Sequence, residues 1–259
     1  MAALGAGSQH LRRLRRLSTD RAARDDERCF VLEGPTTVAD ALESPVVVEA
    51  VFVDPTVDAR LVARATAAGA TIFEVDARAL AKATDAVTSQ GVAAIAKQPI
   101  PAPSDIPPGS PLLVLVEIAD PGNAGTLLRS AEAAGFGGVR FTSRSVDPFS
   151  PKAVRASAGS VLRVPVLNGG EADDVLDEVA ASGRLRVGTV ASGGEPLHHA
   201  DLPPDTAFVL GNEAHGLPAA VVPSIDRWVT IPMAGRAESL NVAMAGTVLC
   251  FELARRRQP

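Results

Sequence analysis

Leu112-Leu113-Val114-Leu115-Val116 is followed three residues later by Asp120-Pro121-Gly122-Asn123-Ala124-Gly125-Thr126-Leu127-Leu128-Arg129. The first stretch is apolar at every position, the mark of a strand buried on both faces of a parallel sheet. The second is a glycine-bearing loop that runs into a helix expected over Ala124 to Ala134, with Asn123 as its N-cap. A buried strand, a loop and a helix make the repeating unit of an open α/β sheet. In such sheets ligands bind outside the carboxyl ends of the strands.

Outward from this unit the same pattern recurs. Gly138 to Phe141, Val164 to Leu167, Leu185 to Val190, Ala207 to Leu210 and Trp228 to Ile231 read as strands. Helices are expected from Pro151, with Ser150 as cap, over Ala172 to Ala181, and from a Ser239 cap to about Arg255. Two further loops leave strands: Leu210-Gly211-Asn212-Glu213-Ala214-His215-Gly216-Leu217, and Val229-Thr230-Ile231-Pro232-Met233 leading to Glu238-Ser239-Leu240-Asn241. All three loops carry polar side chains, and the first two set Gly beside Asn. They are expected to form the walls of one site.

Toward the N-terminus, residues 9 to 28 hold seven arginines, including Arg12, Arg13, Arg15 and Arg16, around leucines at 11, 14 and 17. That spacing predicts a helix with one apolar stripe and a basic face suited to phosphate contact. Strands and helices then alternate: strand Cys29 to Glu33, helix from Thr37, strand Val46 to Val53, helix Val57 to Ala68, strand Thr71 to Val75, helix Asp76 to Ala83 and strand Val92 to Ala96. Between Lys97 and Pro111 lie Pro99, Pro101, Pro103, Pro107, Pro108 and Pro111, too many for a sheet interior. The expected organisation is therefore a small α/β domain over 1–98, a linker over 99–111 and a parallel-sheet domain over 112–259.

Bulk properties exclude several classes. Of the 259 residues 46% are apolar, enough for a globular core, yet no run of eighteen apolar residues exists to cross a membrane. The first residues lack the apolar stretch of a secretory signal. Cys29 and Cys250 are expected as buried thiols in a reducing, cytoplasmic setting. A net charge of −5 argues against indiscriminate nucleic-acid coating. There is no GxGxxG after a strand, no P-loop and no GxSxG elbow, which argues against nicotinamide, ATP and acyl-serine chemistry. His198-His199 has no partner at ligand spacing, so no metal site is expected. Taken singly, Asn123 and Ser239 are adequate caps without a ligand, Arg129 an ordinary surface residue, and Arg155 the end of a helix. Their concentration in strand-leaving loops is what points to chemistry.

The order Asn123-x-Gly125-x-x-x-Arg129, then Gly211-x-Glu213-x-x-Gly216-Leu217, then Ile231-Pro232-Met233 with Glu238-Ser239-Leu240-Asn241-Val242 resembles the three motifs of the SpoU (TrmH-like, SPOUT-class) RNA methyltransferases. The N-terminal part, with Phe30-Val31-Leu32-Glu33-Gly34 and Gln90-Gly91-Val92, is similar to the family's substrate-binding domain, which is like ribosomal protein L30e. One departure is Ala214, where the family usually has Gly. The resemblance implies an L30e-like α/β domain followed by a parallel-sheet SPOUT domain with a trefoil knot, working as a homodimer. It implies S-adenosylmethionine as methyl donor, with no metal, and a ribose 2'-hydroxyl of RNA as acceptor. The separate N-terminal domain favours 23S ribosomal RNA; tRNA is the alternative. Carried over residue by residue, Arg129, Asn123, Glu213, Ser239 and Asn241 are the catalytic positions. Thr189, Gly211, Ile231 and Leu240 hold the cofactor. Arg12, Arg13, Arg15, Arg16 and Arg155 are the expected RNA contacts.

Methyl transfer needs the hydroxyl and methyl carbon held in line and the developing alkoxide stabilised. A guanidinium with a pKa above about 12 accepts protons poorly, so Arg129 is expected to activate the hydroxyl by its charge. A non-catalytic RNA-binding or ribosome-assembly protein on the same fold is the rival; the full polar set counts against it. A small-molecule α/β enzyme is disfavoured by the basic N-terminal helix.

Overall fold

The computed structural model describes residues 4, 5, 7–84 and 89–257, which form two compact units. The first comprises Met1–Pro99 together with Phe149–Arg163, and the second Ile100–Pro148 and Val164–Pro259. The chain thus passes from one unit to the other three times, and a fifteen-residue arm that lies late in the sequence belongs to the first unit.

In the first unit the basic stretch folds as two helices, α1 (Gln9–Thr19) and α2 (Arg21–Glu27). Asp20 separates them, its side chain accepting the N–H of Ala22 as cap of the second. Leu11, Leu14 and Leu17 are buried as the spacing predicts. There follow β1 (Cys29–Glu33), α3 (Pro35–Glu43), β2 (Val48–Val53), α4 (Ala59–Ala67), β3 (Thr71–Glu74), α5 (Ala77–Ala83) and β4 (Val92–Lys97). The strands form a mixed sheet in the order β1-β4-β2-β3, antiparallel except between β2 and β3. The leucines of α1 join Val31, Phe52, Leu80 and Ile95 in its core.

The second unit starts with β5 (Leu112–Leu115), α6 (Pro121–Ala133) and β6 (Gly138–Phe141). The arm then contributes α7 (Pro151–Ala156) to the first unit, where the Phe149 ring meets that of Phe30, centroids 5.2 Å apart. The second unit resumes with β7 (Val166–Asn168), α8 (Ala172–Ala181), β8 (Arg186–Thr189), the two-residue β9 (Glu195–Pro196), β10 (Ala207–Leu210), β11 (Arg227–Thr230) and α9 (Val242–Arg257). Its seven strands, all pairing in parallel, lie in the order β7-β6-β5-β10-β8-β11-β9. Every residue of β5 and β10 is buried. From β5 the chain builds outward through β6 to β7, then crosses to the far side and returns in β10 beside β5. The carboxyl ends of β5 and β10 therefore meet where strand order reverses, the position at which open α/β sheets place ligands.

Candidate active site

Two expected caps are corrected. The N-cap of α6 is Asp120, whose carboxylate accepts the Asn123 N–H at 2.9 Å, with Pro121 at the first helical position. An acidic residue before a proline is a strong helix start, so the helix begins three residues earlier than Asn123 suggests and frees its amide. Ser239 likewise lies ahead of α9; Asn241 caps it, accepting the Ala243 N–H at 2.9 Å.

The freed amide joins a clasp between the loops after β5 and β10. The Glu213 carboxylate accepts the Asn123 side-chain amide (2.8 Å) and the backbone N–H groups of Ala119 (3.0 Å) and Asp120 (3.1 Å). Asn212 donates to the Glu117 carbonyl at 2.9 Å and accepts from the N–H of Ala214 (2.9 Å) and His215 (3.3 Å). Glu117 adopts left-handed backbone at φ 56°, uncommon for a residue other than glycine, and its own N–H meets Thr142 Oγ1 at 3.2 Å. Partial burial pushes the Glu213 carboxyl upward, but the Asn123 amide and the backbone donors outweigh it and hold the group below its ordinary 4.5. Glu213 is thus an anion at neutral pH whose oxygens are engaged. It fixes geometry and is badly placed to accept a proton.

Gly211 is required by close chain approach. A Cβ there would stand 2.3 Å from the Gly216 carbonyl carbon and 2.4 Å from the Leu217 nitrogen, and Asn212 and Gly216 exchange backbone hydrogen bonds of 2.9 Å in both directions. Beside this loop is an open cavity of about 200 Å³. Thr189, Gly211, Ile231 and Leu240, drawn from three separate stretches of sequence, all line it, together with Glu213 and Ser239. Asn212, Leu217, Met233 and Glu238, all within the loops quoted from the sequence but given no site role there, also line it.

Asn123, Arg129 and Asn241 do not line the cavity. Asn123 reaches it through Glu213. Arg129 is exposed on α6 and makes no hydrogen bond or ion pair among the described residues, so its guanidinium is available to an incoming group. Asn241 is occupied as a cap.

The basic face of α1 divides. Arg13 is bound to Glu27 (2.6 Å) and Glu49 (2.8 Å), Arg16 also to Glu27, and Lys97 to Glu49 (2.7 Å). Burial lowers the Arg13 pKa, but the Glu49 and Glu27 carboxylates outweigh it and raise it further above the ordinary guanidinium value. Among the described residues, Arg15 is exposed and has no such carboxylate, and Arg12 donates to the Gly7 carbonyl at 3.1 Å. Arg24 is buried and donates to the Leu17 carbonyl at 2.7 Å. Arg155 is paired with Glu33 at 3.0 Å. Of the predicted RNA contacts, Arg12 and Arg15 are therefore the ones freely presented.

The cavity is walled by the segments after β8, β10 and β11, and the loop after β5, expected as a third wall, meets it only through Glu213. A parallel sheet bearing such a cavity and preceded by a small mixed-sheet unit defines a class that the comparisons identify. Residues 110–251 match the SpoU rRNA Methylase family and residues 8–94 the MRM3-like substrate binding domain. The chain belongs to the SpoU rRNA methylase family. Among its relatives is the 23S rRNA (guanosine(2553)-2'-O)-methyltransferase RlmP of Bacillus subtilis, 29% identical over 96% of this chain and 97% of the other. A tRNA/rRNA methyltransferase of Mycobacterium avium is 34% identical over 92% of this chain and 81% of the other. Among solved structures, an AdoMet-bound rRNA methyltransferase from Sinorhizobium meliloti superposes with a TM-score of 0.88 at 30% identity, covering 100% of this chain and 98% of that one.

Proposed function

We propose that this protein transfers a methyl group from S-adenosylmethionine to a ribose 2'-hydroxyl in RNA, with 23S ribosomal RNA as the foremost substrate. The observation that carries the proposal is the single cavity in which Thr189, Gly211, Ile231, Leu240, Glu213 and Ser239 converge. Its apolar side chains suit the faces of a flat base, and its carboxylates and hydroxyl suit a charged amino-acid moiety and a cationic sulfur. S-adenosylmethionine supplies an electrophilic methyl group; the protein supplies alignment and charge. Asn123, locked by Glu213, fixes the start of α6. Arg129, on that helix, presents its cation to the ribose oxygen as the hydroxyl proton passes to solvent water and the oxygen attacks the methyl carbon, stabilising the developing alkoxide by charge while the sulfonium leaves as a neutral thioether.

We assign residues 1–98 to RNA binding and 112–259 to catalysis, joined by the linker over 99–111, with the arm completing the first unit. We also assign to the second unit the trefoil knot that the family resemblance implies. Met244, Val248 and Phe251, at spacings of four and three on α9, are 62%, 40% and 49% exposed; this apolar stripe supports a homodimer built on that helix. The two buried free cysteines fit a reducing cytoplasm. The deciding experiment is tritiated methyl transfer to protein-free 23S rRNA, 16S rRNA and bulk tRNA, followed by mapping of alkali-resistant ribose positions. A mapped site in 23S rRNA is expected. Absence of both transfer and cofactor binding refutes the reading.

A further inference from the structure

The first unit contains a second hollow that the methyl-transfer reading leaves unused. It encloses about 360 Å³ between the start of α3, the segment before β4 and the arm. Its floor is the Glu33–Arg155 ion pair, in which the Glu33 side chain is only 6% exposed. Its walls present the Thr36 and Thr37 hydroxyls and the Gln90 amide. None of these three side chains has a hydrogen-bond partner among the described residues. An adjoining hollow shares Thr36, Asp40 and Gln90 and is edged by Arg60, whose exposed guanidinium also makes no contact among the described residues.

Hydroxyls and an amide facing an open cavity can each donate and accept, which is the equipment that reads a nucleobase edge. Among the described residues of this unit no aromatic ring is free for stacking, the usual means of holding unpaired bases. Phe30, Phe52 and Phe149 are buried, and Phe73 is occupied between His10 (4.3 Å) and Phe52 (5.1 Å). Recognition here must run through hydrogen bonds. With Glu33 paired, Asp40 beside Arg163 at 3.7 Å and Arg60 at the edge, phosphate is favoured outside the hollow and a neutral base within it.

We infer that this hollow takes one unstacked nucleotide of the substrate RNA, other than the one methylated, with Gln90 and Thr37 reading the base and Arg60 meeting a flanking phosphate. The inference rests on the RNA methyltransferase reading. Arg155 comes from the arm, so the first unit builds this site only with residues from beyond the first catalytic motif.

The test compares wild type, Gln90→Ala/Thr37→Val and Arg60→Ala, each scored by filter retention of protein-free 23S rRNA across a salt series, by methyl-transfer kinetics and by S-adenosylmethionine calorimetry. The double variant is expected to raise the RNA KM at least about fivefold, with kcat and cofactor affinity unchanged. Its preference for 23S rRNA over bulk tRNA falls, while the slope of log affinity against log salt stays that of wild type. Arg60→Ala is expected to shallow that slope by roughly 0.7–0.9. Wild-type KM and selectivity in the double variant overturn the inference. Wild-type retention of 23S rRNA without methyl transfer refutes the enzymatic reading while the hollow is still judged by retention; no retention at all overturns both.

Discussion

Glu213 gathers three donors from a loop ninety or more residues away in sequence. Glu213→Gln keeps the shape but turns an –NH2 toward donors, so it is expected to lower kcat tenfold or more, about 1.4 kcal/mol, and to lower the melting temperature at neutral pH. The Glu213 carboxyl is depressed below 4.5 in the folded state. Its stabilising effect is therefore present above about pH 4.5 and lost as pH falls through the lower folded value. Acid titration followed by circular dichroism should show that loss in wild type and not in Glu213→Gln. Arg129→Ala is expected to abolish methyl transfer while leaving S-adenosylmethionine affinity within about twofold, since the residue lies outside the cavity wall; transfer at the wild-type rate would refute its role. Gly211, Glu213 and Ser239, singled out from strand-leaving loops, are brought to one cavity by the fold. What stayed hidden was that Asp120 caps α6 and Asn241 caps α9, because a cap is chosen by backbone geometry and several neighbouring residues are chemically able to serve.

Helix α1 separates structure from binding within one turn. Arg13 and Arg16 are bound to carboxylates 11 to 36 positions distant, partners that no local spacing reveals, whereas the buried leucines were legible from their period alone. Arg12→Ala/Arg15→Ala is therefore expected to shallow the salt dependence of RNA binding by roughly 1.5, two contacts at about 0.7–0.9 each, without loss of stability. Arg13→Ala should lower the melting temperature instead; filter retention beside calorimetric melting tells them apart. Between α6 and α9, Gly246 would place a Cβ 2.2 Å from Leu127 Cδ2 and 2.7 Å from Leu210 Cδ1, and Ser130 and Thr247 hydroxyls meet at 2.7 Å. Gly246→Ala is expected to destabilise the protein by about 1–3 kcal/mol through overpacking, measurable by urea denaturation.

For the molecule as a whole, alternation of strand and helix made both α/β units legible, and the proline-rich stretch marks the passage at Pro99 and Ile100. The assignment of Phe149–Arg163 to the first unit was not legible, since α7 follows β6 as any crossover helix of a parallel sheet does. Only its packing, Phe149 on Phe30 and Arg155 on Glu33, shows where it belongs. If the α9 stripe is the dimer face, Val248→Lys/Phe251→Lys is expected to halve the mass seen by light scattering while circular dichroism is preserved; an unchanged mass would discard that face.

The triple passage of the chain has a consequence for its birth on the ribosome. When the first ninety-nine residues have emerged, the ring that packs on Phe30 and the Arg155 cation are still untranslated, some fifty positions or more further along the chain. The nascent first unit must wait with the apolar face of Phe30 uncovered until residue 163 clears the exit tunnel. The two units consequently mature together late in synthesis, and translation pauses before that point prolong the interval in which the chain is open to misassociation.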